Sequence, residues 1–139
     1  MPVPPEYLRV GELFSDFLLR VREETMLATR HQSYTCLQGV LVTFRRRLNA
    51  EQILGFAQVL PPVVASIFID GWKVDEFTPV WGSRDSLTLE VQHFRGDHNF
   101  SPDTAIADVA RAVRKTVGDE ALDRAVAPLG SEAAAFWTV

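Results

Sequence analysis

Two stretches of the sequence decide the fold: LQGVLVTFRRRLNAEQILGFAQVLPPVVASIF, residues 37–68, and IADVARAVRKTVGDEALDRAVAPLGSEAAAFW, residues 106–137. They align without a gap, Leu37 against Ile106. Identical residues stand at Val40/Val109, Arg45/Arg114, Glu51/Glu120, Leu60/Leu129 and Ala65/Ala134. Apolar residues also coincide at helical spacing, at Leu37/Ile106, Leu41/Ala110, Phe44/Val113, Leu48/Val117, Ile53/Leu122, Val64/Ala133, Ile67/Phe136 and Phe68/Trp137. This pattern is typical of one supersecondary unit that is used twice.

The composition is that of a single soluble domain, with 139 residues, 47% hydrophobic and 23% charged. A chain of this length can bury one compact core without a metal or a disulfide. No run approaches the roughly 18 apolar residues that span a bilayer. The N-terminal sequence MPVPPEYLRV lacks the basic and apolar regions of a secretory signal. We therefore expect a cytoplasmic protein that does not enter a membrane, and the net charge of −4 argues against general polyanion binding.

The apolar spacing predicts an all-α protein of about eight helices, four in each half. The first repeat covers approximately residues 11–70, a linker covers residues 71–82, and the second repeat covers approximately residues 83–139. We expect a pseudo-twofold axis to relate the halves, each half covering the apolar face of the other. Leu60 and Leu129 should then be buried at equivalent places.

Capping residues and prolines predict where the helices begin. A hydroxyl or amide side chain followed three residues later by glutamine can satisfy the exposed backbone donors of a helix start. The predicted starts are Thr29 with Gln32, Asn49 with Gln52, Pro61-Pro62, Ser101-Pro102, Asp119 and Gly130-Ser131.

The linker, residues 71–82, carries Trp72, Phe77 and Trp81 in a stretch without helical periodicity. Two readings of these aromatic residues remain open. They cover the seam between the halves, which is the favoured reading because each ring can bury a large apolar area. Otherwise they stand exposed and form a surface for a protein partner.

The order of these segments resembles a known family. An amphipathic helix, a long helix ending in RRRLNAEQ, the segment FAQVLPPVV and the pair Gly71-Trp72 are similar to the bacterial DUF2267 family, a domain of unknown function. The resemblance runs from about Leu13 to Trp137, and the chain departs from it where Leu129-Gly130 replaces a second Leu-Pro. It implies a small duplicated helical bundle, and it supplies no catalytic residues.

The histidines give a weak indication of a metal site. His93 and His98 flank Asp97, but a closed site needs three or four ligands in fixed geometry, and no second cluster is visible. We interpret the three residues as solvent-exposed and predict neither a metal nor another cofactor.

Cationic residues end the second helix of each half: Arg45, Arg46, Arg47, Arg114 and Lys115. Cations there interact favourably with the negative end of the helix dipole, and that account is sufficient. The alternative is a basic face that binds an anion or a nucleic acid.

The sequence shows no phosphate-binding loop and no nucleophile with a visible base. The single Cys36 is expected to be a buried structural thiol. We therefore expect a non-catalytic module that mediates protein interaction or self-association. The alternatives are an enzyme or small-molecule binder with a site at the seam between the repeats and, more weakly, nucleic-acid or anion binding through the basic helix ends.

Overall fold

The computed structural model describes residues 2–139, and this part of the chain is all-helical, as predicted. Its α-helices are α1 (Pro5–Leu8), α2 (Val10–Thr25), α3 (Arg30–Arg45), α4 (Ala50–Ala57), α5 (Pro62–Ile69), α6 (Arg84–His93), α7 (Ala105–Val117), α8 (Asp119–Val126) and α9 (Ser131–Phe136). Two short 3-10 turns, Gly96–His98 and Ala127–Leu129, precede α7 and α9. No helix among the described residues is both long enough and apolar enough to cross a membrane.

Eight of these helices follow the predicted order, and α1 is an additional short helix. The linker contains no helix, also as predicted. The Thr29 side chain caps α3 by accepting a hydrogen bond from the backbone N–H of Gln32. Asn49 and Gln52 form the reciprocal capping box of α4. Proline initiates α5, and α9 begins at Ser131 as expected.

Two predicted helix starts in the second half are wrong. Helix α7 begins at Ala105 and not at Pro102 after a Ser101 cap. The backbone N–H and the hydroxyl of Ser101 both donate to Asn99 Oδ1, which holds this segment outside the helix. Asp119 does not cap α8; it is the first residue of that helix, and Gly118 precedes it at φ 94°. Glycine tolerates this left-handed conformation, which lets the chain turn directly from α7 into α8.

One core joins the two halves. Helix α2 packs against α7, and α3 packs against α2, α5 and α6. An aromatic cluster occupies the centre, where the Phe44 ring has centroid distances of 4.9 Å to Phe56, 5.1 Å to Phe136 and 5.3 Å to Trp137. Because Phe44 belongs to the first half and Trp137 to the second, the halves cannot separate without exposing this cluster.

Burial follows the sequence repeat at most aligned positions. Both members are buried in the pairs Leu37/Ile106, Val40/Val109, Leu41/Ala110, Phe44/Val113, Ile53/Leu122, Val64/Ala133 and Phe68/Trp137. One expectation is wrong: Leu60 is buried, whereas Leu129 is only half-buried. Leu129 ends a 3-10 turn and follows Pro128, whereas Val59 stands at the aligned position before Leu60. The pseudo-twofold axis itself stays a prediction.

The Leu60/Leu129 pair gives a graded test of core packing. Leu60→Ala should cost about 2–3 kcal/mol in unfolding free energy, the lower part of the range for buried leucines, because Leu60 also borders an open groove. Leu129→Ala should cost about 1 kcal/mol, since this side chain already contacts solvent. Urea unfolding followed by circular dichroism measures both. A larger loss at Leu129 than at Leu60 would contradict this difference in burial.

Candidate functional site

The linker is anchored to the core by its two tryptophans. Trp72 and Trp81 are both half-buried against core residues. The Trp81 ring lies 5.9 Å from Phe44 of α3 and 6.3 Å from Phe136 of α9. Trp81 therefore contacts both halves and covers part of the seam between them, which fits the favoured reading of these residues.

Two arginines hold the linker by polar contacts: Arg45, the last residue of α3, and Arg47, two residues later. The Arg45 side chain is only 5% exposed, and its Nη1 donates to the carbonyl oxygens of Phe68 (3.0 Å) and Asp70 (2.9 Å). Its Nε lies 3.7 Å from a Glu76 carboxylate oxygen. Arg47 Nε donates to the Val80 carbonyl oxygen at 3.3 Å. The chain is therefore held just before the linker at Asp70, at the Glu76 side chain, and at the Val80 carbonyl.

Three apolar side chains of this fixed segment point into solvent. Val74 is 74% exposed, Phe77 79% and Val80 84%. We call these three residues the linker face. The three aromatic residues singled out in the sequence therefore differ in environment. Trp72 and Trp81 pack against the core, whereas Phe77 is exposed to solvent. Val74 and Val80 were missed; their spacing of three residues on either side of Phe77 is the only signal that could have found them.

The five cations do not form an open basic surface. Arg45 lies in the last turn of α3, as predicted, but its side chain is buried by the contacts above. Arg46 and Arg47 both pair with Glu90. Arg114 binds Asp119 (3.1 Å), Asp123 (2.8 Å) and the Trp137 carbonyl oxygen (2.9 Å), and Lys115 pairs with Glu24.

The ion pairs with Arg46 and Arg47 change the pKa of Glu90. Burial raises the pKa of Glu90, but the hydrogen bonds and positive charges of Arg47 and Arg46 outweigh it and hold that pKa below its ordinary value. Glu90 is therefore ionised at neutral pH. An anionic ligand at this site would have to displace a carboxylate that the protein itself supplies.

The remaining residues singled out in the sequence lie apart from the linker face. His93, Asp97 and His98 are exposed near the end of α6, and residues 2–139 contain no group of three or more His, Cys, Asp or Glu side chains placed to hold a metal ion. Cys36 is buried, as predicted. Burial raises its pKa to about 11, so the thiol is protonated at neutral pH and a poor nucleophile.

One buried carboxylate was not found from the sequence. Asp108 on α7 accepts hydrogen bonds from the Thr104 hydroxyl (2.6 Å) and from Arg111 Nη1 (3.0 Å). Burial raises the pKa of this carboxyl group above its ordinary value. Nothing in the sequence distinguishes Asp108 from a solvated helix residue, because its aligned partner in the first half is Gly39.

The seam between the halves also contains a groove of about 890 Å³. Helices α2, α4 and α5 form most of its wall, with Phe17, Leu60 and Ile69 among the lining side chains. Arg20 and Lys115 add positive charge to the wall, and Asp16 adds negative charge. Its volume is within the usual range of small-molecule sites.

Comparison with known proteins identifies the family. None of the curated proteins compared with this chain matches it. A family model described as "Uncharacterized conserved protein (DUF2267)" matches residues 14–136. This range agrees with the resemblance seen in the sequence. Because the match covers most of the chain, the protein belongs to the DUF2267 family.

Proposed function

We propose that this protein is a non-catalytic cytoplasmic module that binds another protein chain, or a second copy of itself, through the linker face. The observation that carries the proposal is the outward orientation of Val74, Phe77 and Val80 on a backbone that is held to the core. Exposed apolar groups gathered in one segment are typical of partner surfaces.

The anchoring of the linker supports this role. A segment that is already ordered loses little conformational entropy when a partner binds, so more of the contact energy appears as affinity. Trp72 and Trp81 pack against the core near the two ends. Arg45 holds the Asp70 carbonyl just before the linker, and Arg47 holds the Val80 carbonyl within it. An aromatic side chain flanked by smaller apolar groups also resembles the central residues that dominate binding energy at interfaces.

An enzyme is the rival from another class, with a site at the seam between the halves. The groove between α2 and α5 has a suitable volume. However, the acidic groups with raised pKa, Cys36 and Asp108, lie in the core and do not line that groove. Perturbed groups gathered in a pocket are the usual sign of catalysis. Because Cys36 and Asp108 lie apart from the groove, an interaction module is favoured over an enzyme.

Cytoplasmic localisation is part of the same proposal. The single buried Cys36 fits a reducing compartment, where disulfides are rare. Nucleic-acid binding remains the weaker alternative, and the pairing of Arg46 and Arg47 with Glu90 counts against it.

The test compares two triple variants. We expect Val74→Ser, Phe77→Ser and Val80→Ser together to weaken the complex at least about tenfold, because the apolar contact area is lost. The control replaces three exposed apolar residues elsewhere, by Met26→Ser, Leu54→Ser and Leu89→Ser. Sedimentation velocity measures self-association, and a photo-crosslinker at position 77 captures a different partner from an extract of the source cells.

The control decides how a loss is interpreted. Equal weakening by both triple variants would show that the linker face is not the binding surface. Turnover in a substrate screen, with an unchanged rate in the linker variant, would instead support the enzyme.

A further inference from the structure

We propose that a pocket between the start of α6 and helix α9 binds a small amphipathic carboxylate. The pocket has a volume of about 440 Å³. Trp81, Leu87 and Phe136 give it apolar walls, and Arg84 and Glu132 are the charged residues that line it. None of the three side chains of the linker face lines this pocket, so the inference is independent of the proposed interaction role.

Arg84 is held in position by the end of α9. Its Nη1 donates to the carbonyl oxygens of Phe136 (2.9 Å) and Ala135 (3.4 Å). Its Cζ atom lies 6.0 Å from the centroid of the Phe136 ring. These contacts occupy only one of the guanidinium nitrogens, and a guanidinium has five N–H donors in a planar fork. The Nε and Nη2 donors remain available to a ligand.

The charge of Arg84 lacks an acidic counterpart within the described part of the chain. Arg45, Arg47 and Arg114 each have a carboxylate within 4.0 Å, whereas residues 2–139 place no carboxylate oxygen that close to Arg84. Burial lowers the pKa of Arg84, which reflects the partial loss of water around it. An anion bound beside Arg84 would restore this lost stabilisation.

The surroundings of Arg84 define the class of ligand. Two parallel N–H donors match the two oxygens of a carboxylate. The apolar walls formed by Trp81, Leu87 and Phe136 match a short aliphatic or aromatic body. Glu132 opposes a ligand with more than one negative charge, because only one cation lines the pocket. The chemistry therefore favours an apolar monocarboxylate over a phosphate ester.

Three probes with one apolar body and different charges test this site: phenylbutyrate, phenylbutanol and phenylbutylamine. Quenching of tryptophan fluorescence reports binding, and Trp81→Phe shows which part of the signal comes from the pocket. We expect phenylbutyrate to bind about fivefold more tightly than the alcohol, and the amine to bind most weakly, because one partly exposed ion pair contributes modestly.

Charge variants should change affinity in opposite directions. Arg84→Gln should weaken phenylbutyrate to the level of phenylbutanol, Arg84→Lys should retain part of the preference, and Glu132→Gln should strengthen phenylbutyrate binding. Arg124→Gln, an exposed change on α8, serves as the matched control and should have no effect. Circular dichroism checks that each variant is folded; if Arg84→Gln is not, the Glu132→Gln result still decides.

Several results would overturn the inference. These are the absence of saturable quenching with phenylbutyrate at low millimolar concentration, tighter binding of the amine than of the carboxylate, or an Arg84→Gln protein that keeps the full preference for the anion. A Glu132→Gln variant that weakens phenylbutyrate binding would also contradict it.

Discussion

Phe44→Ala is expected to lower the free energy of unfolding by about 3–5 kcal/mol, the usual range for removing a buried aromatic ring. The Phe44 ring is fully buried and lies against Phe56, Phe136 and Trp137. Phe56 belongs to α4, whereas Phe136 and Trp137 stand at the end of α9. These rings hold one another in place, so the cavity cannot close by a simple side-chain shift. Urea unfolding followed by tryptophan fluorescence measures the loss.

Phe100→Ala is the matched control, because it deletes the same ring from a position that is 59% exposed. It should change the unfolding free energy by less than about 0.5 kcal/mol. A loss below about 1 kcal/mol for Phe44→Ala would show that the aromatic cluster repacks and does not hold the halves together. Phe44 also contacts Trp81 of the linker, so the hydrogen-bonded linker amides of Trp72 and Glu76 should exchange faster in the variant.

The fold class was accessible from the sequence because its determinants are local. Apolar residues at helical spacing and the capping pair Asn49 and Gln52 act within one or two turns, and both gave the correct helices. Pro61 and Pro62, at the start of α5, acted in the same way. The failures near Ser101 and Asp119 have a different origin. There, a side-chain contact with Asn99 and the backbone freedom of Gly118 decide where the helix starts.

The candidate site was only partly accessible, since irregular segments carry no period that assigns residues to an inner or outer side. Trp72, Phe77 and Trp81 look equivalent in the sequence, yet only Phe77 faces solvent. Arg45 was equally ambiguous. A cation in the last turn of a helix ordinarily remains in water near the carbonyl end, and its burial against the end of α5 depends on a contact between residues far apart in the chain.

The Arg84 pocket illustrates the same limit. Arg84 stands at the start of α6, where a cation is unfavourable for the helix dipole. A residue that is unfavourable for its own helix often has a tertiary or functional role. The sequence could have indicated that Arg84 has another partner, but only the fold shows that the partners are the carbonyl groups ending α9.

Arg45→Ala is expected to cost about 3–5 kcal/mol in unfolding free energy, and Arg114→Ala only about 1–2 kcal/mol. The two arginines occupy the same position of the sequence repeat and donate to equivalent carbonyl groups, Arg45 to Phe68 and Arg114 to Trp137. This shared contact supports the duplication. The costs differ because Arg45 is buried and also binds the Asp70 carbonyl, whereas the carboxylate partners of Arg114 are exposed and contribute little.

Chemical denaturation of both variants, with Arg124→Ala as an exposed control, measures this difference. The linker gives a second measurement, because Arg45 holds the chain where α5 ends and the linker begins. The backbone N–H groups of Trp72 and Glu76 donate to the carbonyl oxygens of Ile69 and Lys73. Both should therefore exchange faster in Arg45→Ala and keep their wild-type exchange rates in Arg114→Ala. Equal losses of stability would mean that the shared hydrogen bond, to Phe68 O from Arg45 and to Trp137 O from Arg114, determines the loss. The burial around Arg45 would then contribute nothing extra. A larger loss for Arg114→Ala would contradict the arrangement of both sites.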